Sequence, residues 1–399
     1  MDHRIYFDNN ATTPMDPEVL EKMLPFFIEK PGNASSRSHA FGWEASAAVE
    51  EGVRHLADLF KVGEDEIVLT SGATESINLA LKGLADTWKG IKNHIITCET
   101  EHSAVLDTCE ALEKMGWRLT YLKVDQQGHI DLQELKDNID EHTLCVAIMW
   151  ANNETGLIHP VREIGNICKK HQVFFMCDAT QAVGKITTHP QDLGIDLMAF
   201  SAHKFYGPKG MGGLYVRKSK PRVKIHALIH GGGHQDNRRS GTLNVPGIVG
   251  MGTAAELALR QMKTDEVRLR ELRDHLENRL LMEVSETKVN GDREDRLPHV
   301  SNVVFKYVDG EQLMVKINSV VAVSSGSACT SANPDPSHVL LHMGLSELDA
   351  KASIRFSLGR FNTLEEVNKA VDMVVEKVAE LRAESPLWQM FQAGVDLEI

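Results

Sequence analysis

Short apolar runs alternate with longer amphipathic stretches from about Ile67 to Val216, and this alternation constrains the fold more than any other feature of the chain. Apolar runs of this kind read as strands buried on both faces, and parallel strands need crossover connections that are usually helices. The pattern therefore predicts β-α-β units around a mostly parallel sheet. Ile67-Val68-Leu69-Thr70 leads into a helix from Ala73, and His94-Ile95-Ile96-Thr97 leads into a helix from His102. Thr143 to Ala151 contains a further buried strand, and Asp131-Leu132-Gln133-Glu134 has the form of a capping box.

Beyond Gly247 the composition changes to long charged helices, with Leu269, Leu272, Leu276 and Leu280 on one helical face and the charge run on a solvated one. A shorter α/β stretch follows. Val300 to Tyr307 reads as a strand, and Thr363-Leu364-Glu365-Glu366 caps a helix that carries Val367, Val371, Val374, Val378 and Leu381 in one stripe. A chain of 399 residues exceeds the usual size of one hydrophobic core, so a large α/β domain and a second, smaller one are expected.

The formal charge of −13 argues against a nucleic-acid footprint, which would show clustered Lys and Arg. No apolar run approaches the length of a membrane span, and Met1 to Arg4 lead straight into a strand-like Ile5-Tyr6-Phe7, so the sequence reads as cytosolic. Six cysteines, Cys98, Cys109, Cys145, Cys168, Cys177 and Cys329, form no C-x-x-C pair; neither structural disulfides nor a metal site is expected, and most read as reduced core residues.

Four segments carry chemistry. Thr70-Ser71-Gly72-Ala73-Thr74-Glu75-Ser76 ends a strand and opens a helix, where free amides at the positive end of the dipole suit a phosphate; a plain tight connection is the alternative. Phe200-Ser201-Ala202-His203-Lys204 enters a glycine-rich turn, and Lys204 is either a candidate Schiff-base amine or a solvated surface lysine. Asp178, in Cys177-Asp178-Ala179-Thr180-Gln181, stands at a strand's carboxyl end, where it would pair with a protonated ring nitrogen or cap a helix. Cys329 lies in Val323-Ser324-Ser325-Gly326-Ser327-Ala328-Cys329-Thr330-Ser331-Ala332-Asn333-Pro334, a small, polar composition suited to a loop with an accessible thiol.

Taken together, these segments resemble the cysteine desulfurases of the class V aminotransferase group, within the fold-type I pyridoxal-phosphate enzymes. Matching segments also include Phe7-Asp8-Asn9-Asn10-Ala11-Thr12-Thr13-Pro14, Gly32-Asn33-Ala34-Ser35-Ser36, Glu99-Thr100-Glu101-His102, Asn152-Asn153-Glu154-Thr155-Gly156, Arg239-Ser240-Gly241-Thr242 and Ile354-Arg355-Phe356-Ser357. The resemblance implies a large domain with a mostly parallel seven-stranded sheet that binds the cofactor, residues 14–260. A smaller α/β domain, residues 1–13 and 261–399, would carry the catalytic cysteine on a loop of the long-loop subgroup.

By the same resemblance, Lys204 would hold pyridoxal 5′-phosphate covalently, Asp178 would pair with its pyridine nitrogen and Gln181 would reach its phenolic oxygen. His102 would stack on the ring and move protons, although the residue alone reads first as a helix-start histidine that satisfies local hydrogen bonds. Ala73, Thr74, Ser201 and His203 would bind the phosphate, with Thr242 reaching across from a second subunit, which implies a homodimer. Asn153 would face cofactor and substrate, and Arg355 would clamp the substrate carboxylate, its alternative being a structural ion pair. Catalysis would fall to Cys329, Lys204 and His102: L-cysteine would become L-alanine, its sulfur leaving as a persulfide on Cys329 for acceptor proteins such as an iron-sulfur scaffold or thiolation enzymes. Ala34 departs from the proline common at this position in the family. The rival readings are a selenocysteine lyase, an aminotransferase, and a platform protein of the same fold that recruits partners.

Overall fold

The computed structural model describes residues 4–220, 222–325 and 335–395. Its centre is a seven-stranded sheet in the order Ile67–Thr70, Gly212–Val216, Leu197–Ser201, Phe174–Asp178, Thr143–Ala147, His94–Cys98, Arg118–Leu122. Gly212–Val216 pairs antiparallel with both neighbours, and the other six strands run in one direction. The strands from Ile67–Thr70 to Phe174–Asp178 are almost wholly buried because helices cover both faces, as the near-continuous apolar runs required. Ala73–Thr87 and Ser103–Lys114 share one cluster, while Ala40–Phe60 and Val161–His171 pack into the cluster on the other face.

A second core gathers Ile5, Phe7, Leu269, Leu276, Leu280, Val303, Phe305, Ile354, Phe356 and the stripe Val367, Val371, Val374, Val378 and Leu381. It surrounds an antiparallel sheet in the order Ser353–Ser357, Val300–Phe305, Thr287–Val289, with a parallel pair, Ile5–Tyr6 and Val321–Ala322, beside it. The two cores share one helix, Val245–Glu283. Its first part, through Ala258, packs in the sheet core, and its later part, from Leu269, packs in the second. Helix Ala40–Phe60 crosses it so closely that a Cβ at Gly252 would lie 2.4 Å from the Cα of Gly52.

Several local readings need adjustment. The charge run after Gly247 is only partly solvated: Glu277 is buried and takes both guanidinium nitrogens of buried Arg296, one at 2.8 Å. Asp131 caps its helix through the Gln133 amide at 2.7 Å, and the reciprocal half of the box, from Glu134, is not made. The strand from Val300 stops at Phe305, because Tyr307 takes a left-handed φ of 65° that ends the extended backbone. The turn without proline at Ala34 is held instead by Asn33, whose Oδ1 accepts the Ser35 amide at 2.9 Å.

Removing one partner of a buried, doubly hydrogen-bonded pair strands the other charge. Glu277→Ala is expected to destabilise the protein by about 3–5 kcal/mol, read as a lowered urea midpoint, while Glu277→Leu combined with Arg296→Met recovers most of the loss. An unchanged midpoint in the single variant would exclude the pair from the stability of the second core.

Candidate active site at the carboxyl edge of the sheet

Five chain segments leave the sheet at the carboxyl ends of parallel strands and line one cavity of about 520 Å³. They bring Ala73 and Thr74, His102, Asn153, Asp178 and Gln181, and Ser201, His203 and Lys204 together, with Ala11 and Thr12 from the N-terminal segment closing one side. The volume falls in the range of small-molecule sites.

Helix Ala73–Thr87 forms the first wall. Its first backbone bond runs from the Ser76 amide to the Gly72 carbonyl at 3.1 Å, so the amides of Ala73, Thr74 and Glu75 have no partner within the helix and carry its positive end. Gly212 lets the neighbouring strand close in on this turn, since a Cβ at Gly212 would lie 2.6 Å from the Gly72 Cα. The Arg239 Nε donates to Glu75 Oε1 at 2.8 Å, which ties the Arg239-Ser240-Gly241-Thr242 segment to this end of the cavity. Thr242 itself is exposed and lies outside the lining.

His102 satisfies both of its readings. Its Nδ1 accepts the Ala104 amide at 3.0 Å as N-cap of Ser103–Lys114, and the ring still lines the cavity. An Nδ1 that accepts a backbone N–H leaves the proton of the neutral ring on Nε2. Asp178 is buried, with Oδ1 taking the Thr180 amide at 2.9 Å and the Thr180 hydroxyl, and it too faces the cavity. Lys204 is no solvated lysine: its Nζ donates to the carbonyls of Asn10 and, at 2.8 Å, Ala11. Arg355 forms an ion pair with Asp8 at 2.8 Å and donates to the Asn153 carbonyl at 2.9 Å, so it stands behind Asn153 and not in the cavity lining.

Cys329 lies outside the described residues, but the segment that carries it has anchored flanks. The Arg355 amide donates to the Ser324 carbonyl at 2.7 Å, and the Ser337 hydroxyl donates to buried Glu154, next to Asn153. The remaining cysteines, Cys98, Cys109, Cys145, Cys168 and Cys177, are free and buried. Burial pushes the Cys98 and Cys109 thiols up to about 12, which leaves them inert.

Two contributors had no role assigned from the sequence. Glu101 is buried, its Oε1 takes the Met149 amide at 2.6 Å, and burial lifts its carboxyl well above the usual range. Asn10 touches Lys204, Gln181, Asn153 and His299 at once. Nothing local in the sequence signals these contacts, because their partners lie far along the chain.

This donor set fits pyridoxal phosphate: an amine for its aldehyde, a carboxylate for its ring nitrogen, and helix-end amides beside Ser201 and His203 for its phosphate. The fold and site thus define a pyridoxal-phosphate enzyme. The aminotransferase class-V family model matches residues 5–370, and the chain belongs to that family. Within it the chain falls in the cysteine desulfurase branch. It is 52% identical over 393 residues to the cysteine desulfurase IscS of Anaeromyxobacter sp. (strain K), covering 98% of this chain and 97% of that one. A solved NifS-like protein superposes with a TM-score of 0.89 at 40% identity, covering 95% of this chain and 100% of the other. SspA, solved in complex with cysteine, superposes with a TM-score of 0.79 at 35% identity, covering 90% of this chain and 100% of its own.

Burial, then Lys204 and Lys209, push His203 down to about 4, and burial likewise holds His94 and His159 at about 4 and His299 well below its usual value. The unfolded chain protonates these rings near 6.5, whereas the folded chain does not until far lower pH. Their contribution to stability is therefore complete above pH about 6.5 and is lost as pH falls towards about 4. Thermal midpoints should drop across that window, and His159→Leu should flatten the drop; a slope that the substitution leaves unaltered would remove His159 from the account.

Proposed function

We propose that this protein converts L-cysteine to L-alanine and carries the released sulfur as a persulfide on Cys329. Acceptor proteins, such as an iron-sulfur scaffold or thiolation enzymes, would then take it. The observation that carries this reading is the convergence of Lys204, Asp178, Gln181, His102 and Asn153 on one cavity, beside which both flanks of the Cys329 segment are tied. The desulfurase relatives and the cysteine held by SspA support the same substrate.

When bound, pyridoxal phosphate supplies an aldehyde that captures amines and a ring that stores the electron pair left at Cα. Ala73, Thr74, Ser201 and His203, which line the cavity, would hold its phosphate, and the Asp178 carboxyl would pair with its ring nitrogen. Lys204 would hold it through Nζ, and the same Nζ, when free, would take the Cα proton of the substrate. His102, with its own proton on Nε2, would serve in proton transfer within the cavity it lines. Asn153 would face the substrate, and Arg355, which now donates to the Asn153 carbonyl and to Asp8, would turn its guanidinium donors to clamp the substrate carboxylate.

The Cys329 thiolate then attacks the sulfur of L-cysteine. The carbon–sulfur bond breaks as the sulfur–sulfur bond forms, and the electron pair returns to the carbon skeleton, which takes up a proton and leaves as alanine. L-Cysteine and one thiol thus give alanine and one persulfide.

The same reading divides the chain into a large cofactor domain, 14–260, and a small domain, 1–13 with 261–399; the two separate cores joined by one helix support it. It includes a homodimer in which Thr242 serves the neighbouring subunit's phosphate site. The exposed position of Thr242 supports this, as do the uncovered Phe27, Ile28, Phe41 and Trp43. Among the described residues no helix is long and apolar enough to cross a membrane, and a cytoplasmic location belongs to this reading.

Incubation with L-cysteine and a reductant should release alanine and sulfide in equal amounts. Cys329→Ala should abolish both while leaving the cofactor's absorbance intact, and Lys204→Ala should abolish both together with the covalent cofactor linkage. Equal turnover by the Cys329→Ala protein would sink the nucleophile assignment.

A further inference from the structure

Asn10 is almost wholly buried and occupies the turn after strand Ile5–Tyr6. Its backbone carbonyl accepts the Lys204 Nζ and, at 3.0 Å, the Gln181 Nε2, so both lone pairs of one oxygen are committed to two side chains of the site. The direction of that carbonyl depends on how the residue is held. The Asn10 amide donates to the Ser357 Oγ at 2.9 Å, and its side-chain Nδ2 donates to the Asn153 carbonyl at 2.9 Å. Because a carbonyl only accepts, this second bond fixes the side-chain amide's orientation and turns Oδ1 towards the His299 Nε2, 2.8 Å away. Oδ1 cannot donate, so His299 carries its proton on Nε2.

His299 is fully buried immediately before strand Val300–Phe305, and Ser357 ends strand Ser353–Ser357. Both strands belong to the second core. A residue from the turn that follows that core's N-terminal strand thus enters the sheet's cavity edge, braced by residues at the ends of two strands of the same core, and presents one oxygen to the lysine and the glutamine together.

We propose that Asn10 is a positioning residue whose carbonyl aims the Lys204 amine and the Gln181 amide jointly at the cofactor, and that His299 acts through it by holding the Asn10 side chain. The inference rests on Lys204 being the residue that links pyridoxal phosphate. It assigns to His299 one donated hydrogen bond and no contact with substrate or cofactor. Without that bond the Asn10 side chain keeps only its Asn153 contact, so the peptide plane is held less firmly and the amine less well aimed, while the phosphate-binding amides of Ala73 and Thr74 are untouched.

The test reads linkage rather than turnover. Cofactor-free protein is mixed with pyridoxal phosphate, total bound cofactor is measured after acid release, and borohydride trapping with mass spectrometry gives the rate and fraction linked to Lys204. His299→Gln, whose amide nitrogen can stand where the imidazole Nε2 stands, should link like the unsubstituted protein. Asn10→Ala and His299→Leu should bind the cofactor but link it about three- to tenfold more slowly, the kinetic equivalent of one lost hydrogen bond. Should Asn10→Ala fail to accumulate as folded protein, the Gln and Leu pair at His299 decides alone. Linkage at the unsubstituted rate in His299→Leu, or equal slowing in His299→Gln, overturns the proposal. Failure of the unsubstituted protein to link at Lys204 overturns the Lys204 assignment itself, an outcome distinct from the other two.

Discussion

Parallel strands in one sheet deliver all their carboxyl ends to the same edge, and the chemistry of this molecule depends on that alignment. Six of the seven central strands share a direction, and the five segments that supply its reactive side chains each follow one of them. The helix end at Ala73, the cap at His102, the carboxylate at Asp178 and the amine at Lys204 need no long loops to meet. Each is held at the tip of a buried strand, which fixes side chains more tightly than a free loop would.

The sheet alone does not complete the site. One side of the cavity is closed by Ala11 and Thr12, which belong to the segment leaving Ile5–Tyr6, a strand of the second core. That core also holds Asn153 in place, since Arg355 of strand Ser353–Ser357 and Asn10 both donate to its carbonyl. Packing of the second core and geometry of the cavity are therefore coupled through backbone carbonyls, which give directional acceptors without adding charge to a buried place.

Much of the architecture was legible in the sequence because its signals are local. The apolar runs at Ile67 and His94, the stripe from Val367 to Leu381 and the capping box at Thr363 are each specified by neighbours a few residues away, and each takes its expected form. Motif segments likewise located Lys204, Asp178 and His102, although their partners lay beyond reach of any periodicity. What stayed hidden is what depends on distant pairing. Glu277 reads as one more solvated charge until Arg296 folds back onto it, and Asn10 reads as a turn residue until His299 and Ser357 arrive. The end of the strand at Phe305 was missed because the left-handed backbone at Tyr307 is set by its surroundings and not by a glycine.

The separation between Asn10 and the residues that brace it also imposes an order in time. Asn10 leaves the ribosome near the beginning of synthesis, whereas His299 and Ser357 follow 289 and 347 positions later. The sheet that carries Lys204 is complete in the chain by Val216, so it can start to form while the bracing strands have yet to be made. A nascent chain would thus possess both the turn and the reactive amine well before it possesses the residues that brace the turn. The fully braced geometry therefore comes into being only once nearly the whole polypeptide has been made.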